Sequence, residues 1–309
     1  VSRPGGGIRA AAESWSTPWV AAMAVVASIA IWSQWSALTH IVSLGLRDEE
    51  QSHVLLAPVV IVWMIWLRKS RLTLVPPRTS WLGPAVLLGG WAFAWWGFDQ
   101  GHQAAEHLGA LVVVLGAILT FTGVAALRQF LPALPLLLFA VPVPGFLRQQ
   151  IALPLQDMAA AVTFETLVLA GVDVARQGNV LEINGTSVAV AEACNGMRMV
   201  FALGLVVYAF VFSVPLRSSA RVFLLALSPV IALVCNVIRL VPTALFFGYS
   251  DEETAIAFHD IAGWVMLLVA LAILWKIVRL LEWLEIPVTR MRLAGRRDAD
   301  DTDLAGVGS

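Results

Sequence analysis

Charge is scarce in this 309-residue chain: 20 Lys and Arg and 21 Asp and Glu make up 13% of it. Soluble domains carry about a quarter charged residues. With 59% hydrophobic residues and a mean hydropathy of +0.81, the chain belongs in a bilayer. The net charge of -1 says nothing about nucleic acid, but there is no basic stripe of the kind DNA binding needs, so no nucleic-acid partner is expected. Cysteine is rarer still, and two cannot build a disulfide scaffold. Tyrosine also numbers two, against 13 Trp, of which Trp15, Trp19, Trp81 and Trp283 read as interfacial anchors. No His pair has the i, i+4 spacing with an acid that a zinc protease helix needs, and there is no Gly-x-Ser-x-Gly elbow or phosphate-cradling glycine loop. No metal or cofactor is expected. An internal repeat of the transporter kind is absent too.

What the chain has is apolar runs. Their lengths and flanking charges predict an all-α integral membrane protein of eight spans: 18–38, 53–68, 80–98, 107–127, 130–146, 196–215, 221–247 and 261–283. The first lacks a small-residue cleavage site and reads as a retained span. The fifth carries Pro132, Pro135, Pro142 and Pro144, which predicts a kink or partial insertion. Arg3 and Arg9 precede the first span, Arg68, Lys69, Arg71 and Arg78 follow the second, and Arg128, Arg217, Arg221 and Lys276 to Arg297 mark later loops of the same set. The alternate loops hold Asp48 to Glu50, Asp99, Glu106 and Asp251 to Glu253. By the positive-inside rule the basic set, with both termini, is cytoplasmic.

Three regions follow: a cytoplasmic segment 1–17, a membrane domain 18–285 and a polar, disordered tail 286–309. The connection from 146 to 195 is long and lies outside. Its first part, 151–172, reads as an interfacial helix or a half-buried ninth segment. Next, Asn184-Gly185 between two β-branched runs predicts a small hairpin delivering the chain to Cys194.

Three reactive side chains lie near the outer ends of different apolar segments: Cys194, Arg239 and His259. Ionisable groups at such depth are costly and mark sites. Cys194 stands in Glu192-Ala-Cys194-Asn195-Gly196-Met197-Arg198, ahead of an apolar helix. A helix N-terminus and a nearby arginine stabilise a thiolate, which makes Cys194 a nucleophile; the alternative is a small packing residue. If the helix starts near Cys194, Arg198 follows one turn later on the same face. Cys235, deep in the seventh span, reads as packing, although a Cys194–Cys235 disulfide is open. Arg239 shares a face with Asn236 at i−3 and suits an oxyanion or a substrate carboxylate; an ion pair with Glu192 is the other reading. His259 is a general base, or an interfacial structural histidine. His40, His53, His102 and His107 also fall on the outer side.

At these residues the chain resembles the exosortase and archaeosortase family of membrane-embedded cysteine transpeptidases, from about residue 50 to 275. The resemblance rests on Ser52-His53 through Pro58, Pro142-Val-Pro144, Leu153 to Gln156, Gly178-Asn179-Val180, Glu192 to Arg198, Asn236-Val-Ile-Arg239, and His259 with Gly263-Trp264. It implies Cys194 as nucleophile with Arg239 and His259 as partners. Arg198, Asn236 and Glu192 are expected in support, and His53 and Asn195 are candidates for binding substrate. Familiar members more often carry Ser-Gly-Leu where this chain has Asn195-Gly196-Met197, so the subtype stays open.

The resemblance further implies a substrate: an exported protein ending in a Pro-Glu-Pro-like motif, a transmembrane helix and a basic tail. A Cys194 thioester would pass it to an amine acceptor, lipid-borne or otherwise, at the outer face of an inner membrane, often beside exopolysaccharide systems. Two other classes use the same residues differently. A membrane acyltransferase would carry a lipid chain on Cys194. A transporter would use Arg239 as an anion site, and an exopolysaccharide assembly component would carry the triad without catalysis.

Overall fold

In hydrocarbon the backbone must satisfy its own hydrogen bonds, so apolar runs in a bilayer fold as helices. The computed structural model describes residues 15–75, 77–189 and 196–283, and its described residues are mostly helical. In chain order the helices are α1 (Thr17–Ser33), α2 (Trp35–Arg47), α3 (His53–Leu67), α4 (Leu82–Asp99), α5 (Gln103–Gln129), the one-turn α6 (Leu136–Phe139), α7 (Gly145–Leu169), α8 (Met197–Ser213), α9 (Ser218–Tyr249) and α10 (Glu252–Trp283). Strands β1 (Val174–Gln177), β2 (Val180–Ile183) and β3 (Thr186–Ala189) lie between α7 and α8. The segments 1–14 and 284–309, which include the expected disordered tail, lie outside the described residues.

Among the described residues four helices are long and apolar enough to cross a membrane: α5, α7, α9 and α10. The pair α1 and α2, bent by 70° at Gln34, is a fifth if taken as one broken span. The expected spans at 53–68, 80–98 and 196–215 are the helices α3, α4 and α8, of 15, 18 and 17 residues. At 1.5 Å per residue they reach only roughly 23–27 Å, short of about 30 Å of hydrocarbon.

Two expectations need correction. The segment 130–146 is not one span: a 3₁₀ turn at Leu131–Ala133 and the four-residue α6 replace it. Its four prolines explain this, since each removes a donor and crowds the preceding turn. For the segment 151–172 the second reading, a half-buried further segment, fits, and it is the start that needs correcting. The segment belongs to α7, which starts at Gly145 and continues through Pro154 for 25 residues. Proline at N-cap position 144 sets the start that the sequence reading placed too late.

Helices α4 and α5 make a close antiparallel hairpin. Gly83, Gly90 and Gly97 recur every seven residues on α4, and Gly109 and Gly116 do so on α5. A Cβ on Gly109 would stand 2.5 Å from the Ala94 nitrogen, and one on Gly90 2.9 Å from the Val113 nitrogen. Glycine is needed here because the two backbones touch.

The C-terminal half has its own core. Leu203, Val207 and Val211 of α8, Ile231, Ala232 and Cys235 of α9, and Ala270 and Leu274 of α10 are buried together. Beyond it, Leu181 and Ile183 of β2 pack with Ala159, Ala160 and Leu167 of α7 and with Leu240 and Ala244 of α9. Glu182 between them is exposed, the period-two alternation of a half-buried strand.

The sheet is antiparallel in the order β1-β2-β3. Ile183 pairs with Thr186 across Asn184-Gly185, both with positive φ (52° and 75°), as a type I′ turn requires. β1 adds a strand beyond the expected hairpin, with Gln177 opposite Val180 across Gly178-Asn179. Asn184 Nδ2 donates to the Gly248 carbonyl at 3.3 Å, which docks the sheet on the end of α9.

Large apolar side chains remain exposed along the outside, among them Val59, Val62 and Trp66 of α3, Leu88 of α4, and Ile261 and Leu268 of α10. Apolar surface on this scale is what a lipid-facing bundle presents.

Candidate active site

Helices α9 and α10 are joined by a tight turn at Ser250-Asp251, so they run antiparallel. Asp251 caps α10: Oδ2 accepts from the Thr254 N–H at 2.9 Å and Oδ1 from the Thr254 hydroxyl at 3.0 Å. Those bonds hold its carboxyl below the usual carboxylate range. Arg239 lies ten residues before Tyr249 and Gly263 eleven after Glu252, so both sit about 15 Å below the turn.

At that depth Arg239 is only 4% exposed. Its Nη2 donates to Asn236 Oδ1 at 2.9 Å, and its backbone carbonyl accepts from the Thr243 hydroxyl at 2.8 Å. A Cβ built on Gly263 would stand 3.2 Å from Arg239 Nη1 and 3.5 Å from Arg198 Nη2. Guanidinium groups from α8 and α9 thus meet over one glycine of α10. His259, half-buried, precedes that glycine by four residues and so shares its helix face. Two arginines from two helices meet here, and His259 of the third lies one turn away along α10.

Arg198 is steadied by Trp264, its guanidinium carbon 5.4 Å from the ring centroid. That geometry is a cation–π contact. Helix α8 begins at Met197, with Gly196 as its N-cap at φ 82°. Arg198 therefore belongs to the first turn, and Cys194 precedes the helix by three residues instead of starting it. A Cβ on Gly196 would meet Asn236 Nδ2 at 3.0 Å. The peptide leaving the cysteine motif thus rests on the residue that holds Arg239. Cys194, Glu192 and Asn195 themselves lie outside the described residues.

His53 was a substrate-binding candidate from sequence. It is 2% exposed, and its ring stacks on Phe201 at 4.7 Å between centroids and 14° between planes. With Arg198, Trp264 and Gly263 it lines a cavity of about 380 Å³ between α3, α8 and α10. Cys235 is a free, buried thiol in the α8–α9–α10 core, so the disulfide alternative is not formed. Of the other histidines that the sequence places on the outer side by expectation, His40 Nδ1 lies 3.0 Å from His107 Nε2, between α2 and α5.

The sequence singles out Gly263-Trp264 beside His259 as part of the resemblance, but gives neither residue a role in the site. The cue was present: glycine one turn beyond a polar histidine in a helix otherwise filled with bulky apolar residues.

No curated protein and no solved structure shows significant similarity to the chain. A family model does match: the transmembrane exosortase model, over residues 35–276. That range spans most of the chain and takes in α2 through most of α10, with every residue of the cluster just described. The chain is a membrane protein that belongs to the transmembrane exosortase family.

Proposed function

We propose that this protein is a membrane cysteine transpeptidase that cleaves C-terminal sorting signals of exported proteins through a thioester on Cys194. One observation carries the reading: Arg198 and Arg239 meet over Gly263, one turn from His259, while Gly196 abuts Asn236. Two peptide units span at most about 7 Å. Cys194, two residues before Gly196, is therefore within reach of the cluster.

In this scheme His259 takes the Cys194 proton and the thiolate attacks the scissile carbonyl. Arg239, pre-oriented by Asn236 in a water-poor site, stabilises the tetrahedral oxyanion, with Arg198 close enough to share the charge. The leaving amine receives the proton from His259. An amine acceptor, lipid-borne or soluble, then attacks the thioester and releases Cys194. The loop charges support an orientation with both termini in the cytoplasm of an inner-membrane protein and the cluster toward the outer face. A substrate helix stopped by a basic tail would then present its motif to that face.

The test is Cys194→Ala in the intact protein with a tagged substrate ending in motif, helix and basic tail. Loss of processing, and a peptide adduct trapped on wild-type Cys194, are expected. Processing by Cys194→Ala would end the scheme, and a fatty-acyl adduct would make the protein an acyltransferase instead.

A further inference from the structure

His53 stands in the wall of the same cavity as Arg198, and its ring is oriented as if for a task. Nδ1 lies 3.2 Å from the Glu50 carbonyl oxygen. A carbonyl only accepts, so Nδ1 carries the hydrogen, and in the neutral ring Nε2 is left as an acceptor. Phe201 fixes the ring plane by stacking. Among the described residues no group hydrogen-bonds Nε2. Nε2 is thus an acceptor in the cavity wall, open to a donor from a ligand. The rest of the wall includes Ser52, Met199, Trp264 and Leu267, a mostly apolar surface with a fixed donor, Arg198, on another side.

A peptide unit is one N–H donor and one C=O acceptor held in a plane. A cavity of about 380 Å³ has room for a short extended stretch of chain and its side chains. We propose that this cavity is the peptide-recognition subsite: one peptide unit of the sorting signal donates its N–H to His53 Nε2, and a neighbouring carbonyl of the signal accepts from Arg198. This rests on the reading that the substrate is a polypeptide. The site thereby divides its labour. Arg239 and His259 serve the reacting bond, His53 holds the backbone beside it, and Arg198, with several N–H donors, stands between the two. Trp264 keeps Arg198 aimed into the cavity.

The experiment uses the full chain in detergent micelles and a synthetic substrate segment whose backbone amides are replaced, one at a time, by esters that lack the N–H. In the wild type, one ester position should raise KM about tenfold and leave kcat within about threefold, the effect of one lost hydrogen bond. In His53→Phe the all-amide substrate should show that raised KM, and the ester should add nothing further. His53→Gln, which returns an acceptor at similar reach, should recover KM to within about threefold. The ester scan of the wild type needs no variant, so a misfolded His53→Phe does not rescue the idea. Absence of any penalised ester position, an undiminished ester penalty in His53→Phe, or no ester penalty in a His53→Gln of recovered KM, would overturn the subsite. Failure of the parent reading looks different: Cys194→Ala would still cleave.

Discussion

Asn236 Oδ1 accepts a hydrogen bond from Arg239 Nη2 at 2.9 Å, and the nitrogen of the same amide lies 3.0 Å from where a side chain on Gly196 would begin. One buried amide thus links the charged centre to the peptide that follows the cysteine motif. Asn236→Asp would keep the contact but place a carboxylate against the guanidinium, cancelling the positive potential an oxyanion needs. The expected result is a folded protein of unchanged thermal midpoint whose processing rate falls at least about tenfold, corresponding to about 1.4 kcal/mol. Full activity in Asn236→Asp would remove Arg239 from the chemistry.

Gly263 separates activity from stability. In a helix interior Ala is favoured over Gly by about 1 kcal/mol. Yet the new methyl would sit 3.2 Å from Arg239 Nη1 and 3.5 Å from Arg198 Nη2. Gly263→Ala should hold or raise the melting temperature while lowering processing about tenfold, since small misplacements of oriented groups are costly. Parallel melting and kinetic measurements check it; a variant that loses both together would mean the glycine serves packing alone.

The α4–α5 hairpin should be the least forgiving part of the N-terminal half. A side chain on Gly109 meets the α4 backbone at 2.5 Å, where no rotamer change can help. Gly109→Val should destabilise by about 3 kcal/mol or more, at or beyond the upper end for overpacking. Gly101, with open space around it, should tolerate only substitutions that suit its φ of 69°, such as Asn. Melting in detergent distinguishes the two sites.

The cap on α10 carries a pH dependence. The Asp251 carboxyl is held below its ordinary value by the Thr254 bonds. A group whose folded pKa is depressed contributes above its unfolded pKa and loses that contribution as pH falls through the folded one. Amide exchange in the first turn of α10 should therefore quicken as pH drops below about 4, once corrected for intrinsic rates. Asp251→Ala should exchange rapidly already at neutral pH and show no such step.

The sequence was most legible where local chemistry decides conformation. Asn184-Gly185 announced its turn because few other pairs accept two positive φ values in succession. Arg239 and Asn236 announced a shared face because i−3 spacing places them there. Legibility failed where tertiary contact decides. The prolines of 130–146 showed that a span was in trouble, but not that the long helix would begin afresh at Gly145. The apolar run beginning at 261 places a span just past His259, yet α10 starts at Glu252 and is capped by Asp251, in sequence only a loop charge. The heptad glycines were plain in the letters. Their meaning depends on a partner backbone that a single segment cannot reveal.

The glycine-seamed hairpin has a consequence for how the molecule comes into being. Residues 82–129 touch one another across a short turn, so this pair can close as soon as it leaves the ribosome. Trp19 Nε1 donates to the Phe121 carbonyl at 3.1 Å, tying the chain's beginning to that early scaffold. Every described member of the reactive cluster comes later, from 196 onward. Synthesis thus builds the glycine-seamed frame first, and the arginine cluster is complete only when the last helix docks.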